Sequence, residues 1–204
     1  MSAVYILVGL IAYLIGSVNF AIIFSKKIAG FDVRETGSKN AGTTNVLRTV
    51  GKKAAILTLI CDILKGVISV LLAILASKIW KNTDLEILKY LAGLMAIVGH
   101  TLPIYYGFKG GKGVATALGV LLMVNPQIGL ICLVFALTIM VATRWVSLGS
   151  ILAAVLFPIL TIFMVDDLGA KIISILISGL VIFNHRTNIV RLKNGTENKL
   201  SFKK

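Results

Sequence analysis

Acidic residues are scarce in this chain. Eight Asp and Glu stand against 21 Lys and Arg among 204 residues. No carboxylates cluster, and Asp62 and Glu197 alone would hold a divalent cation poorly. The only cysteines, Cys61 and Cys132, lie inside hydrophobic segments, which argues against a disulfide framework or a cysteine metal site. No HEXXH zinc motif and no Ser-His-Asp order can be found. Charged residues make up 14%, where soluble domains carry about a quarter. No soluble domain is expected, because the longest non-apolar stretch runs only over 25–53. No Lys or Arg precedes the first apolar run and no A-x-A site follows it, so it is expected to be a retained span, not a signal peptide.

What is abundant is apolar. The chain is 57% hydrophobic with a mean hydropathy of +0.95. Runs near the roughly 20 residues that cross about 30 Å of hydrocarbon recur along it. They fall near 3–24, 54–79, 87–106, 114–124, 127–143, 146–165 and 170–184. Backbone polar groups in hydrocarbon must be paired, so the spans are expected to be helices. The fourth run is short, reaching about 17 Å as a helix. It ends at the turn signal Asn125-Pro126, so 114–143 is one long span or two. Charge decides between them. With seven spans and the N-terminus outside, most of the 21 basic residues face inward, the C-terminal tail included. The expected fold is therefore all-α. It is a single polytopic integral membrane domain over 1–204, with seven transmembrane helices, the N-terminus outside and the C-terminus cytoplasmic.

The net charge of +13 lies between the hydrophobic spans. The positive-inside rule accounts for most of it, and basic loops also favour anionic head groups and substrates. No aromatic-and-basic platform for nucleic acid is present. In the seven-span count, three polar segments fall on one face: 38–48, 107–113 and 185–197. Gly110-Gly111-Lys112-Gly113 directly precedes a hydrophobic run. Bare backbone N–H groups at a helix start can cradle phosphate. Lys112 is followed by Gly113 rather than Ser or Thr, so this is not a Walker A loop. In the first segment, Ser38, Asn40, Thr43, Thr44 and Asn45 can donate and accept, and Arg48 can grip phosphate in a fork. Asp62 and Lys65 share a helix face within a span, where charges are costly. They are either a structural ion pair or site support. Ser147 and Ser150 are helix-face neighbours, and His185 and Asn188 point the same way if their helix continues.

With no conventional general base, a reaction here would depend on positioning and charge stabilisation. An anion transporter would also want a basic, glycine-rich site, but its polar residues should line a route through both faces. The outer loops near 80–86, 125–126 and 166–169 are short. A head-group phosphotransferase lacks its carboxylate cluster here, and a structural subunit would need none of these motifs. The H-x4-D pattern of soluble-type glycerolipid acyltransferases is missing, since Tyr105 and Val190 fill its fifth position after His100 and His185.

The motifs together resemble the bacterial acyl-phosphate:glycerol-3-phosphate acyltransferases. The resemblance rests on 37–48 (GSKNAGTTNVLR), Asp62 to Gly66, Gly99 to Pro103 with 108–116 (FKGGKGVAT), Ser147 to Ser150, and 185–192 (HRTNIVRL) with Gly195 and Glu197. It implies a seven-helix fold in a bacterial cytoplasmic membrane, with the active site facing the cytoplasm. The implied reaction takes an acyl group from acyl phosphate to the 1-hydroxyl of glycerol 3-phosphate, giving lysophosphatidic acid and inorganic phosphate. That is the first step of bacterial phospholipid synthesis, run without a cofactor, coenzyme A or acyl carrier protein. The implied partners are the two substrates, membrane lipid and the enzyme that makes acyl phosphate. Ser38, Arg48, Lys112, His185 and Asn188 would be catalytic. Ser38, Asn40, Asn45, Arg48, Lys112 and Ser147, with backbone N–H groups of Gly110, Gly111 and Gly113, would hold phosphate. Asp62, Lys65, His100 and Glu197 would support the site.

Overall fold

The computed structural model describes residues 2–200, which are helical with short connecting turns and no strand. Two compact units divide at Val124 and Asn125. The first unit carries α1 (Ser2–Ser17), α2 (Phe20–Ala29), α3 (Thr43–Thr49), α4 (Lys52–Ile79), α5 (Leu85–Thr101) and α6 (Val114–Val124). Two 3₁₀ turns, Val33–Glu35 and Ile104–Tyr106, lie in its loops. The second unit carries α7 (Pro126–Thr143), α8 (Val146–Met164), α9 (Leu168–Asn184) and α10 (Arg186–Lys193).

Five helical segments are long and apolar enough to cross a membrane: Ala3–Ala29, Lys52–Ile79, Leu85–Tyr106, Pro126–Thr143 and Val146–Met164. A sixth is added if α9 and α10, bent by 57°, form one broken span. The seventh expected run is α6, whose 11 residues are short of a bilayer's thickness. Several boundaries follow from local signals. Asn125 caps α7 by accepting from the N–H groups of Gln127 and Ile128, with Pro126 at the first helical position. Asp84 and Asp167 cap α5 and α9 in the same way.

The long α4 is inverted relative to a soluble helix. Ile60, Leu64, Ile68, Leu71 and Leu75 are exposed, whereas Asp62, Lys65, Gly66 and Ser69 are buried. In a bilayer the apolar face meets lipid and the polar groups turn inward. Packing within the first unit relies on small residues. A Cβ on Gly16 would meet the Ala96 backbone, and one on Gly99 would meet the Tyr13 carbonyl, so α1 and α5 approach backbone to backbone. Gly66 and Gly119 do the same for α4 and α6.

The first apolar run is interrupted at Val18-Asn19, between α1 and α2. Asn19 caps the second piece by accepting from the Ile22 N–H at 3.1 Å. Lys65 Nζ donates to the Val18 carbonyl at 2.8 Å and pairs with Asp62 at 2.8 Å. A carbonyl released by a helix break thus finds a donor without water. Of the two roles the sequence left open for Asp62 and Lys65, this geometry supplies the structural one.

In the second unit, α8 packs between α7 and α9. Gly149 lets α8 approach the Ala136 carbonyl of α7, and Ser178 of α9 donates to the Ala154 carbonyl of α8.

Candidate active site

The first unit's polar loops are organised around Asn45. Its Oδ1 accepts from the Ser38 N–H at 2.9 Å, and its Nδ2 donates to the carbonyls of Val33 and Thr36 at 2.9 and 3.1 Å. The side chain is buried. Asn45, expected from the sequence to help hold phosphate, here folds residues 33–38 around itself through its amide. Ser38 is exposed beside it, Asn40 is half-buried, and Arg48 is exposed on α3. Lys39 adopts a positive φ of 58°, which costs a non-glycine residue about 1 kcal/mol. Such strain gathers where a loop must hold a set shape.

The second loop is pinned on both sides. The Gly110 and Gly111 N–H groups donate to the carbonyls of Thr101 and His100 at 3.2 and 3.1 Å. A Cβ on Gly110 would strike the His100 carbonyl, and one on Gly111 the His100 imidazole and the Ala41 carbonyl. These glycines are required because the loop lies against the end of α5. Their N–H groups, expected from the sequence to donate to phosphate, donate here to backbone carbonyls. Gly113 has a φ of 86° and its carbonyl accepts from the Ala117 N–H, so it opens α6. Lys112 is half-buried at that helix start. The buried His100 supports the loop from behind, its Nδ1 3.6 Å from Asp62 Oδ1.

Arg34 holds the other edge. Its Nη1 donates to the carbonyls of Tyr106 and Lys109 at 2.9 and 3.1 Å. Its Nε and Nη2 donate to Asp32 Oδ1 and Oδ2 at 3.0 and 2.8 Å. The hydrogen bond from Arg34 holds the Asp32 carboxyl at about 2, well below the ordinary aspartate value. In the sequence Arg34 is one of many basic loop residues. Its signal was the Asp32-x-Arg34 spacing, which any charged turn can share.

In the second unit Glu197 is a hub. Its Oε1 accepts from Ser147 Oγ at 2.8 Å and Asn188 Nδ2 at 2.7 Å, and its Oε2 from Arg191 Nε at 2.7 Å. Its carbonyl accepts from Trp145 Nε1 at 3.2 Å, and Lys199 lies over the Trp145 ring. Burial opposes ionisation of Glu197, but the hydrogen bonds from Arg191, Asn188 and Ser147 outweigh it and lower its pKa. The tail is thus fastened to the start of α8 and along α10. The Ser147 hydroxyl proton and an Asn188 amide N–H are directed at this carboxylate. His185 ends α9, and its Nδ1 lies 2.8 Å from the Val181 carbonyl. A carbonyl partner assigns the proton to Nδ1 and leaves Nε2 as the basic nitrogen. The α9–α10 bend falls at His185, so His185 and Asn188 do not share one continuous helix. Among the described residues, no three His, Cys, Asp or Glu gather to hold a metal ion.

Residues 6–195 match the family model for glycerol-3-phosphate acyltransferase. The chain belongs to the glycerol-3-phosphate acyltransferase family. It is 45% identical to the glycerol-3-phosphate acyltransferase of Clostridioides difficile, over 98% of this chain and 97% of that one. It is 44% identical to the Thermoanaerobacter sp. enzyme of the same name, over 97% and 96%. Among solved structures it resembles PlsY (YgiH), an integral membrane glycerol 3-phosphate acyltransferase, in its glycerol 3-phosphate form. That likeness has a TM-score of 0.87 and 37% identity, over 97% of this chain and 96% of that chain. The lysophosphatidic acid form matches with a TM-score of 0.84 and 36% identity. The protein is an acyltransferase and, with its apolar helices, an integral membrane protein of this family.

Proposed function

We propose that this protein transfers a fatty acyl group from acyl phosphate to the 1-hydroxyl of glycerol 3-phosphate, releasing lysophosphatidic acid and inorganic phosphate. The observation that carries the reading is the family match, which runs unbroken from residue 6 to residue 195 through the Arg48 and Lys112 segments. The solved PlsY relatives, in a glycerol 3-phosphate form and a lysophosphatidic acid form, support the acceptor and the product.

The hydroxyl oxygen of glycerol 3-phosphate bonds to the acyl carbonyl carbon, and the bond from that carbon to the phosphate oxygen breaks. Phosphate leaves with the electron pair, and the hydroxyl proton ends on it, so that it is released as hydrogen phosphate. An acyl phosphate is already activated, so no cofactor is needed. Arg48 and Lys112 would hold phosphate groups, with Ser38 donating beside them. Asn40 sits in the same segment. The orphan N–H groups of the first turn of α6, following Gly113, add positive potential. Positive groups near the leaving phosphate and developing oxyanion lower the barrier, and holding both substrates together supplies the entropic share. In the second unit, His185 would orient glycerol 3-phosphate, and Glu197 would fix the Ser147 and Asn188 side chains.

The cellular setting of the reading is a bacterial cytoplasmic membrane, with seven crossings, the N-terminus outside and the site facing the cytoplasm. Both units form one acyltransferase over 1–204, fed by the enzyme that makes acyl phosphate.

The test uses purified protein in lipid bilayers with palmitoyl phosphate and labelled glycerol 3-phosphate, without coenzyme A or carrier protein. Lysophosphatidic acid with equimolar phosphate, cut to a small residual rate in Lys112→Ala, is the expected result. Product only from an acyl thioester would overturn the donor. No product, with labelled glycerol 3-phosphate accumulating inside liposomes, would overturn the reaction in favour of transport.

A further inference from the structure

We propose that Arg34, held by Asp32, is a positioning residue that sets the shape of the glycine-rich loop and hence the place of Lys112, without touching substrate. The inference rests on the reading of Lys112 as a phosphate ligand.

A guanidinium has five N–H donors in a fixed fork. Four of Arg34's have partners: two go to Asp32 and two to the carbonyls of Tyr106 and Lys109. Asp32 neutralises the charge and is itself fixed, because its Oδ1 also accepts from the Arg34 N–H at 3.0 Å. Its carboxylate therefore stays ionised and its partner stays aimed. A residue this committed cannot be a second phosphate grip, although its charge and its segment suggest one.

What it grips instead is specific. Tyr106 and Lys109 bracket Gly107 and Phe108, which both adopt positive φ, 65° and 58°. Phe108 is exposed, so no packing of its ring holds it in that unfavourable conformation. The local turn, with the Phe108 N–H donating to the Pro103 carbonyl, and the Arg34 fork are what hold it. Just beyond, the N–H groups of Gly110 and Gly111 are tied to the end of α5. Carbonyls on one side and N–H groups on the other are thus fixed by different elements, and Lys112 is the next residue along. Arg34 makes a long-range tie between the two polar loops of this unit, 72 and 75 residues from its acceptors. A lysine at position 34 would keep the charge but could not span both carbonyls and Asp32 together.

The test is Arg34→Lys in the full-length protein in bilayers, read by three measurements. Amide exchange across 107–113 should accelerate about tenfold while the other helices and the thermal midpoint are unchanged. Catalytic efficiency for glycerol 3-phosphate should fall by as much as about 100-fold, as for a displaced binding group. In a Lys112→Ala background the same substitution should cost little further, because it acts through the residue already removed. Asp32→Asn should follow Arg34→Lys in direction. Unchanged exchange at 107–113, or losses that multiply independently of Lys112, would overturn the proposal. If the wild-type protein makes no lysophosphatidic acid, the functional reading fails. The exchange measurement then still decides whether Arg34 shapes the loop.

Discussion

Lys65 Nζ donates to the carbonyl of Val18 at 2.8 Å, across a break in the first apolar run. The same ammonium pairs with Asp62, and both side chains are at most 3% exposed. A charge within a span is thereby used twice, once to neutralise a carboxylate and once to satisfy a backbone group that a continuous helix would have paired itself.

Replacing Lys65 by Met strands two acceptors at once. The loss should be about 3 kcal/mol, the scale for breaking a buried pair by removing one partner. Thermal unfolding in detergent measures it. The double change Asp62→Leu with Lys65→Met should recover part of the loss but not all, since the Val18 carbonyl stays unmet. Full recovery would mean the Val18 bond contributes nothing.

Glu197 predicts an acid-side transition of the tail. Its pKa is lowered in the folded protein, so the stability it contributes is complete above its ordinary value of 4.5 and is lost as pH falls through the lower folded value. Trp145 reports on it, because its indole N–H donates to the Glu197 carbonyl. In a Trp80→Phe background, Trp145 emission should change with a midpoint below 4.5. Glu197→Gln should abolish that transition. A midpoint at or above the ordinary value would contradict the hydrogen-bond account.

Gly111→Ala should inactivate more severely than Gly113→Ala weakens the start of α6. The added Cβ at 111 meets both the His100 ring and the Ala41 carbonyl, so the loop must move. A fall in activity of about 100-fold or more is expected from such a displacement near reacting groups. Steady-state turnover beside a circular dichroism check of helicity separates this from unfolding.

Asn45 and Ser38 should part company. Asn45→Ala removes three hydrogen bonds made by a buried side chain and should destabilise the protein by about 2 kcal/mol. Ser38→Ala removes an exposed hydroxyl and should leave the thermal midpoint unchanged while raising the Michaelis constant for glycerol 3-phosphate. Equal effects on stability would collapse the distinction between loop scaffold and ligand.

Much of this was readable in order of sequence. The apolar runs, the turn at Asn125-Pro126 and the glycines of the second loop each announce themselves by local chemistry. The polar residues could be picked out by type, but not the hydrogen bonds they make inside the protein. Asn45, Ser147, Asn188, Gly110 and Gly111 carry the right groups for phosphate, and in the folded chain those groups are met by Val33, Glu197, Thr101 and His100. Arg34 passed as one basic residue among many, because its acceptors lie more than seventy residues away.

Composition and hydrophobic periodicity determined that this chain is a bundle of membrane helices, since a backbone in hydrocarbon has almost no other way to pair its polar groups. The spacing of glycine, lysine and arginine in the loops raised the expectation of an anion site there. Which donors remain for an anion was decided only by tertiary structure. A hydrogen bond made inside the protein removes its donor from the site, and that is fixed by distant neighbours rather than by residue type.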